Sequence, residues 1–233
     1  MHKERCSRED EAAPFRFSPW HTARVNGIDV WCADLDAAPP RDPASMLSAD
    51  ERERAARFRF DVHRNRFLRC RALLRQHLAD TLDLDAAAIV FQYGAHGKPE
   101  VDGVHFNVSH SDRFAVIAIS RHMPVGIDVE LIDGSKEVLP LARTAFSPLE
   151  CEALSAMTPR EQLASFFRTW ARKEAYLKFL GTGFSRPSDS FTVSMTNEPS
   201  SVVEGCALRD LDVHPDFACA IATPRVTPIA LRP

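Results

Sequence analysis

No part of the 233-residue sequence stays apolar for the roughly 20 residues that a membrane-spanning helix needs. Residues 1–14 are polar and charged, and they lack the apolar centre of a secretory signal. These two absences predict a cytoplasmic protein that has no membrane partner.

Clustered cysteines and a strong excess of charge are also missing. The six cysteines are widely scattered, without a C-x-x-C pair or a close cluster of cysteine and histidine, which argues against a zinc site and a disulfide framework. The formal net charge is only −3, so the whole molecule has little electrostatic attraction for nucleic acid. Residues 52–75 do contain many arginines interleaved with phenylalanines, a pattern that could bind single-stranded nucleic acid or nucleotide phosphates. We interpret most of these arginines as solvated helix surface.

Helical and strand patterns alternate along the rest of the chain. Two capping boxes, Ser48 with Glu51 and Ser147 with Glu150, mark helix starts. Further helices are predicted at 64–80 and in a segment that ends at Gly181. Strands are predicted at 24–35 (with a turn near 26–27), 89–93, 105–108, 114–120, 125–131, 191–195, 207–211 and 217–222. This order predicts an α+β fold of two similar α/β subdomains, residues 1–122 and 123–233.

The predicted strand at 125–131 carries two carboxylates on one face. Because side chains alternate along a strand, Asp128 and Glu130 point the same way, and Gly126 leaves space beside them. The simpler alternative is a half-buried strand whose polar face meets water.

The helical segment FFRTWARKEAYLK places another carboxylate in an unusual position. Glu174 falls within the apolar arc of the helix, whereas Arg168 and Arg172 point away from it, as expected of a solvated face. A buried carboxylate is costly unless it is paired, protonated or bound to a cation. One interpretation is an Mg²⁺ or Mn²⁺ site shared with the acidic strand. The other is a salt bridge to Lys178 or to an arginine elsewhere.

A third segment, GKPEVDGVHFNVSHSDRF, places hydroxyls and a histidine just before the acidic strand. Ser109 and His110 are adjacent and would point to opposite faces, and no G-x-S-x-G elbow surrounds the serine. A Ser-His-Ser turn at this place suits an anion, with Lys98 as a second cationic contact. Turn capping is the alternative role for both residues.

The segments GKP, FNVSHS, VGIDVE, FFRTWARKEAYLK and GTG, in this order, resemble the 4′-phosphopantetheinyl transferases of the surfactin-synthetase-activating type. The resemblance extends from about Ser48 to Phe191. It implies a monomeric pseudo-twofold pair of α+β halves with coenzyme A between them. It also implies Mg²⁺-dependent transfer of 4′-phosphopantetheine from coenzyme A to a serine of an apo acyl or peptidyl carrier protein, with release of adenosine 3′,5′-bisphosphate. The resemblance is compatible with a carrier of fatty-acid, polyketide, nonribosomal peptide or siderophore synthesis.

The resemblance also implies roles for individual residues. The magnesium ligands would be Asp128, Glu130 and Glu174. Lys178 would hold the pyrophosphate and assist departure of the leaving group. Coenzyme A would be contacted by Arg54, Arg66, Lys98, Ser109, His110, Asp128 and Lys178. Arg54 and Arg66 would bind the 3′-phosphate, because Glu51 occupies a position that is lysine in some relatives.

Two choices stay open within this implied scheme. The base that takes the serine proton is Glu174 or a water held by Glu130. Glu150 is either a further acidic position of the family or only a helix cap.

Two other functional classes compete with this interpretation. An Mg²⁺-dependent nuclease or phosphodiesterase also uses acidic residues with a lysine, but it usually places Glu and Lys two apart on a strand. Glu174 and Lys178 are four apart on a predicted helix. A nucleic-acid binder without catalytic activity would depend on the arginine stretch, and the near-neutral net charge counts against it.

Overall fold

The computed structural model describes residues 21–25, 27–37, 42–196, 198 and 200–225. Within them the α-helices are α1 (Ala49–Ala56), α2 (Asp61–Leu82), α3 (Val138–Ala145), α4 (Pro148–Ser155) and α5 (Pro159–Leu180). The strands are β1 (His21–Val25), β2 (Ile28–Asp34), β3 (Gln92–Tyr93), β4 (Pro99–Glu100), β5 (His105–Ser111), β6 (Phe114–Ser120), β7 (Gly126–Leu131), β8 (Ser200–Val203), β9 (Cys206–Asp210) and β10 (Phe217–Pro224). The polar N-terminus, Cys6, Asn26 and most of the proline-rich loop lie outside the described residues.

Two antiparallel four-stranded sheets form the centre of the molecule. Their strand orders are β1-β2-β6-β5 and β7-β10-β9-β8, so the first sheet uses residues up to 120 and the second uses residues from 126 onward. Side chains alternate along β6 and β10, and one face of each strand packs against the other sheet. The opposite faces are covered by α2 on the first sheet and α5 on the second. The α+β prediction is confirmed.

Each half contains the same buried support for its long helix. Glu51 completes the capping box of α1 and receives Arg75 Nε of α2 at 2.6 Å. Glu150 completes the capping box of α4 and accepts from Lys173 Nζ of α5 at 2.8 Å. The two long helices each contain 22 residues. Glu150 therefore caps a helix and pairs with a buried lysine, which is a structural role.

The extended segment after α5 corrects two sequence expectations. Residues 191–195 pair with no strand among the described residues. Side chains of α5 instead bind backbone carbonyls of this segment. Lys173 donates to the carbonyls of Ser188 and Phe191, and Arg172 donates to those of Ser194, Thr196 and Glu198. The prediction of a solvated Arg172 was wrong: its side chain is 1% exposed and also pairs with Asp210 at 2.7 Å.

Other differences are local. The predicted strand at 24–35 is the β1–β2 hairpin, and the predicted strand at 89–93 is reduced to β3. Ser109, His110 and Ser111 lie within β5, so the predicted turn comes later, at Asp112 with φ 49°. Among the arginines expected on a solvated surface, Arg75 is buried against Glu51. The five cysteines in the described part are free, in agreement with the absence of a disulfide framework.

Removal of the Glu150 carboxylate tests its structural role. Glu150→Ala leaves Lys173 as a buried charge without its ion-pair partner and removes the cap of α4. We expect the free energy of unfolding to fall by about 3 kcal/mol or more, measured by urea denaturation. The control Glu152→Ala changes an exposed residue of the same helix and should stay within about 0.5 kcal/mol of the wild type. Equal losses in the two variants would contradict this role.

Candidate active site

Strand β7 and helix α5 touch through their backbones at Gly126. A Cβ atom placed on Gly126 would lie 2.1 Å from the carbonyl oxygen of Ala175 and 2.4 Å from the amide nitrogen of Phe179. The expectation that Gly126 leaves space beside the carboxylates is therefore corrected, since the helix backbone fills that space. The close approach places Glu174 and Lys178, the neighbours of these two helix residues, beside the acidic face of β7.

Asp128 is the most deeply buried group of the site, with 2% of the residue exposed. Its Oδ1 accepts hydrogen bonds from Ser109 Oγ at 2.7 Å and from Lys178 Nζ at 2.5 Å. Its Oδ2 is buried and has no hydrogen-bond partner among the described residues. Burial raises the pKa of Asp128, while Lys178 and Ser109 oppose that effect. Among the described residues, no donor or cation therefore offsets the cost of burying Oδ2.

Glu130 and Glu174 lie beside Asp128 and are half-buried. Burial and the negative charge of Asp128 raise the pKa of Glu130 to about 7. The same two causes raise the pKa of Glu174. Among the described residues Glu174 forms no ion pair, because Lys178 binds Asp128 instead. The alternative of a Glu174–Lys178 salt bridge is therefore not what the structure contains.

The three carboxylates are suited to a divalent cation but are not gathered as a finished ligand set. The described residues contain no group of three or more acidic, histidine or cysteine side chains already arranged around a metal position. Asp128 Oδ2 is nevertheless a buried oxygen that has no hydrogen-bond partner among the described residues. Burial raises the pKa of all three carboxylates, and the charge of Asp128 raises the pKa of Glu130 and Glu174 further. Such a donor set fits a hard cation such as Mg²⁺, which keeps waters and substrate oxygens as further ligands.

A cavity of about 300 Å³ borders Glu174 and Lys178 at the junction of the two halves. Lys98 also lines it, and its ammonium donates to the carbonyl oxygen of Lys178 at 2.7 Å. Burial lowers the pKa of Lys98. The other residues that line the cavity are His96, Gly97, Pro99, Asn107, Val108, Leu177, Gly181 and Gly183.

Positive groups lie around His110, an exposed residue near the end of β5. Partial burial lowers its pKa, and the charges of Lys178, Arg54 and Arg66 lower it further. The Arg54 guanidinium stacks on Phe67, with 5.2 Å to the ring centre. Arg66 differs from Arg54 because two carboxylates already bind it.

The ion pairs of Arg66 are short and occupy both sides of its guanidinium. The distances are 2.7 Å to Asp36 and 2.6 Å to Asp112. Only 15% of its side chain is exposed. Arg54 therefore has the more available guanidinium of the two predicted 3′-phosphate contacts.

The sequence reasoning missed two polar residues of β5. Asn107 Oδ1 accepts from the amide of Ile127 at 2.9 Å, and Ser111 Oγ accepts from the amide of Leu131 at 3.1 Å. Together with Ser109 they form a period-two polar face in FNVSHS that meets the face of Asp128. The period was visible in the sequence, but the contact between this strand and β7 was not.

Glu174, Lys98 and Lys178 line the cavity, and Asp128 and Glu130 lie beside Glu174. Carboxylates combined with cations in this way are typical of enzymes that transfer phosphate-linked groups. Comparison with known proteins defines the class. Residues 124–222 match the family model of the 4′-phosphopantetheinyl transferase superfamily, and residues 41–122 match that of the 4′-phosphopantetheinyl transferase N-terminal region.

Individual relatives extend the match over most of the chain. The 4′-phosphopantetheinyl transferase HetI of Nostoc sp. (strain PCC 7120) is 33% identical over 203 residues, which are 84% of this chain and 86% of the relative. The 4′-phosphopantetheinyl transferase Sfp of Bacillus subtilis (strain 168) is 31% identical over 187 residues, or 76% of this chain and 82% of the relative. The chain belongs to the 4′-phosphopantetheinyl transferase superfamily.

Membership in this family defines the reaction. The chain is a transferase that moves 4′-phosphopantetheine from coenzyme A to a serine of a carrier protein. The comparisons do not support the alternative of a nuclease. No helix in the described part of the chain is long and apolar enough to cross a membrane.

Gly126→Ala tests whether the contact between β7 and α5 holds the site together. The added methyl group collides with the backbone of α5, so the helix must move away from Asp128. We expect at least about a tenfold loss of transfer activity together with a lower melting temperature. The control Gly134→Ala adds a methyl group with only one ordinary contact, at 4.0 Å to Leu163, and should leave both quantities unchanged. Full activity of Gly126→Ala would contradict the account.

Proposed function

We propose that the carboxylates of Asp128, Glu130 and Glu174 hold a divalent cation, Mg²⁺ or Mn²⁺, on the pyrophosphate of coenzyme A. The single observation that supports this most strongly is the buried Oδ2 of Asp128, which lacks a partner in the described part of the chain while two further carboxylates lie nearby. When bound, the cation supplies charge neutralisation at the pyrophosphate. Lys178 Nζ, already at Asp128 Oδ1, supplies a second positive charge at the same place.

The cationic residues of the first half suit the nucleotide end of coenzyme A. In this proposal Lys98, Ser109 and His110 contact the phosphates, while Arg54 contacts the 3′-phosphate. Arg66 would contribute less to the 3′-phosphate because Asp36 and Asp112 already bind it. Residues 1–122 would thus supply most nucleotide contacts, and residues 123–233 would supply the cation and pyrophosphate site.

The transfer step follows from this arrangement. The serine oxygen of the carrier attacks the β-phosphorus and forms a new O–P bond, while the bond from that phosphorus to the bridging oxygen breaks. Adenosine 3′,5′-bisphosphate leaves with the bridging oxygen, and Lys178 stabilises its developing charge. The serine proton goes to Glu174 or to a water held by Glu130. Glu174 is suited to this task because it forms no ion pair among the described residues.

The protein partner is an apo acyl carrier protein or a peptidyl carrier domain. The enzyme would act as a monomer in this proposal, with the two halves of one chain in a pseudo-twofold arrangement. Each half supplies a four-stranded sheet and a 22-residue helix.

Substitution of Glu174 tests the proposed site. With coenzyme A and Mg²⁺, the wild-type enzyme should add the mass of one phosphopantetheine arm to an apo carrier protein, and a chelator should prevent the gain. Glu174→Gln keeps the size of the side chain but removes its charge, so we expect the rate to fall about 100-fold or more. The melting temperature should stay near the wild-type value, because Glu174 supports no ion pair among the described residues.

Glu152→Gln is the matched control, since it makes the same change at an exposed position. It should transfer at the wild-type rate. A Glu174→Gln enzyme within a few-fold of the wild type would overturn the assignment of Glu174. Absence of any mass gain across several carriers, together with cleavage of DNA or RNA, would overturn the reaction itself.

A further inference from the structure

Ser111, at the end of β5, connects the backbone of β7 to one of the proposed ligands. Its Oγ accepts a hydrogen bond from the amide of Leu131 at 3.1 Å and donates one to Glu130 Oε2, also at 3.1 Å. Because the amide occupies a lone pair of the hydroxyl, the hydroxyl hydrogen is left to point at the carboxylate. No other side-chain hydrogen bond or ion pair holds Glu130 among the described residues.

We infer that Ser111 is a positioning residue that fixes the Glu130 carboxylate toward the cation site. This inference rests on the proposed function, in which Glu130 is a ligand. Ligands of metals are commonly oriented by such outer hydrogen bonds, and loss of one typically weakens metal affinity or activity by 10–100-fold, as an order of magnitude.

The alignment of the two strands makes the contact specific. Ser109 binds Asp128 and Ser111 binds Glu130, so that both pairs are separated by 19 residues along the chain. Two serines spaced by two therefore meet two carboxylates spaced by two. A shift of one residue in either strand would turn both hydroxyls away from both carboxylates.

The end of β5 is itself held in place, so the hydroxyl is presented from a fixed position. Ser111 pairs with Phe114 across the turn to β6. The next residue, Asp112, binds Arg66 Nη1 at 2.6 Å, and Arg66 also binds Asp36. Arg66 thereby anchors the turn beside Ser111, which gives a structural reason for its burial near the site.

A role for Ser111 that is only structural would make a different prediction. If the hydroxyl served only to accept from the Leu131 amide, its removal would lower stability without changing the dependence on metal. If it positions Glu130, its removal must change the metal dependence itself. Ser111→Thr keeps the hydroxyl and serves as the conservative variant.

The experiment compares Ser111→Ala, Ser111→Thr and the control Ser120→Ala. Ser120 is a buried serine of β6 that accepts from the amides of His122 and Met123, so its loss reports on stability alone. One readout is the Mg²⁺ concentration that gives half the maximal transfer rate, and the other is Mn²⁺ bound by the enzyme with coenzyme A, measured by electron paramagnetic resonance of free Mn²⁺. Samples with coenzyme A alone supply the background.

We expect Ser111→Ala to raise the half-saturating Mg²⁺ concentration and to weaken Mn²⁺ binding, each by about 10-fold. The KM for coenzyme A at saturating Mg²⁺ should stay unchanged. Ser111→Thr should return both metal readouts to within about 3-fold of the wild type, and Ser120→Ala should not change them. An unchanged metal dependence in Ser111→Ala, or failure of Ser111→Thr to restore it, would overturn the inference.

Glu130→Gln separates this inference from the proposed function. If Glu130→Gln leaves the metal dependence unchanged, the proposed cation site is wrong. If Glu130→Gln weakens metal binding and Ser111→Ala does not, only the positioning role is wrong. The double variant Ser111→Ala/Glu130→Gln should bind Mn²⁺ no more weakly than Glu130→Gln alone, because the hydroxyl acts through that carboxylate.

Discussion

A carboxylate that is almost fully removed from water, Asp128, imposes the central constraint on this structure. Its charge is costly at such a depth unless donors and cations surround it. One oxygen accepts hydrogen bonds from Ser109 of the first half and Lys178 of the second half. The other oxygen has no partner among the described residues. The arrangement requires α5 to lie directly on β7, and a residue larger than Gly126 would prevent that contact. We call the place where β5 of the first half meets β7 and α5 of the second half the seam; it combines backbone packing of α5 on β7 with charged hydrogen bonds between the halves.

The long helix α5 can present Glu174 to this seam because its neighbours anchor the helix elsewhere. Arg172 and Lys173 are buried, and they bind Asp210, Glu150 and several carbonyls of the segment that follows the helix. Arg172 and Lys173 thus hold the helix in place, and the next residue, Glu174, faces the cavity. The first half repeats the same support with Glu51 and Arg75 but carries phosphate-binding candidates in place of the acidic residues. The two halves therefore resemble each other in how the long helix is supported and differ in the charges that they carry at the site.

Local periodicity in the sequence was enough to predict β6, β7, the α+β class and the shared face of Asp128 and Glu130. It also singled out Glu174, because a charge within an apolar helical arc is an anomaly that the sequence itself displays. The errors occurred where the deciding partner is distant along the chain. Arg172 has a solvated pattern by helical position, yet its partners lie 22–38 residues away. Likewise, the sequence does not show that α5 packs on Gly126. It also does not show that Ser109 and Ser111 of β5 face Asp128 and Glu130 of β7, because these two strands are brought together only by the fold.

The most direct test of the proposed cation site is a crystal structure of the enzyme with coenzyme A and Mn²⁺, with anomalous scattering recorded near the manganese absorption edge. We expect one anomalous peak where β5 meets β7 and α5, within about 2.0–2.3 Å of carboxylate oxygens of Asp128, Glu130 and Glu174 and of pyrophosphate oxygens. In that state Lys178 should have turned from Asp128 toward the phosphates. A peak held by other residues, or a coenzyme A pyrophosphate bound away from these carboxylates, would contradict the account.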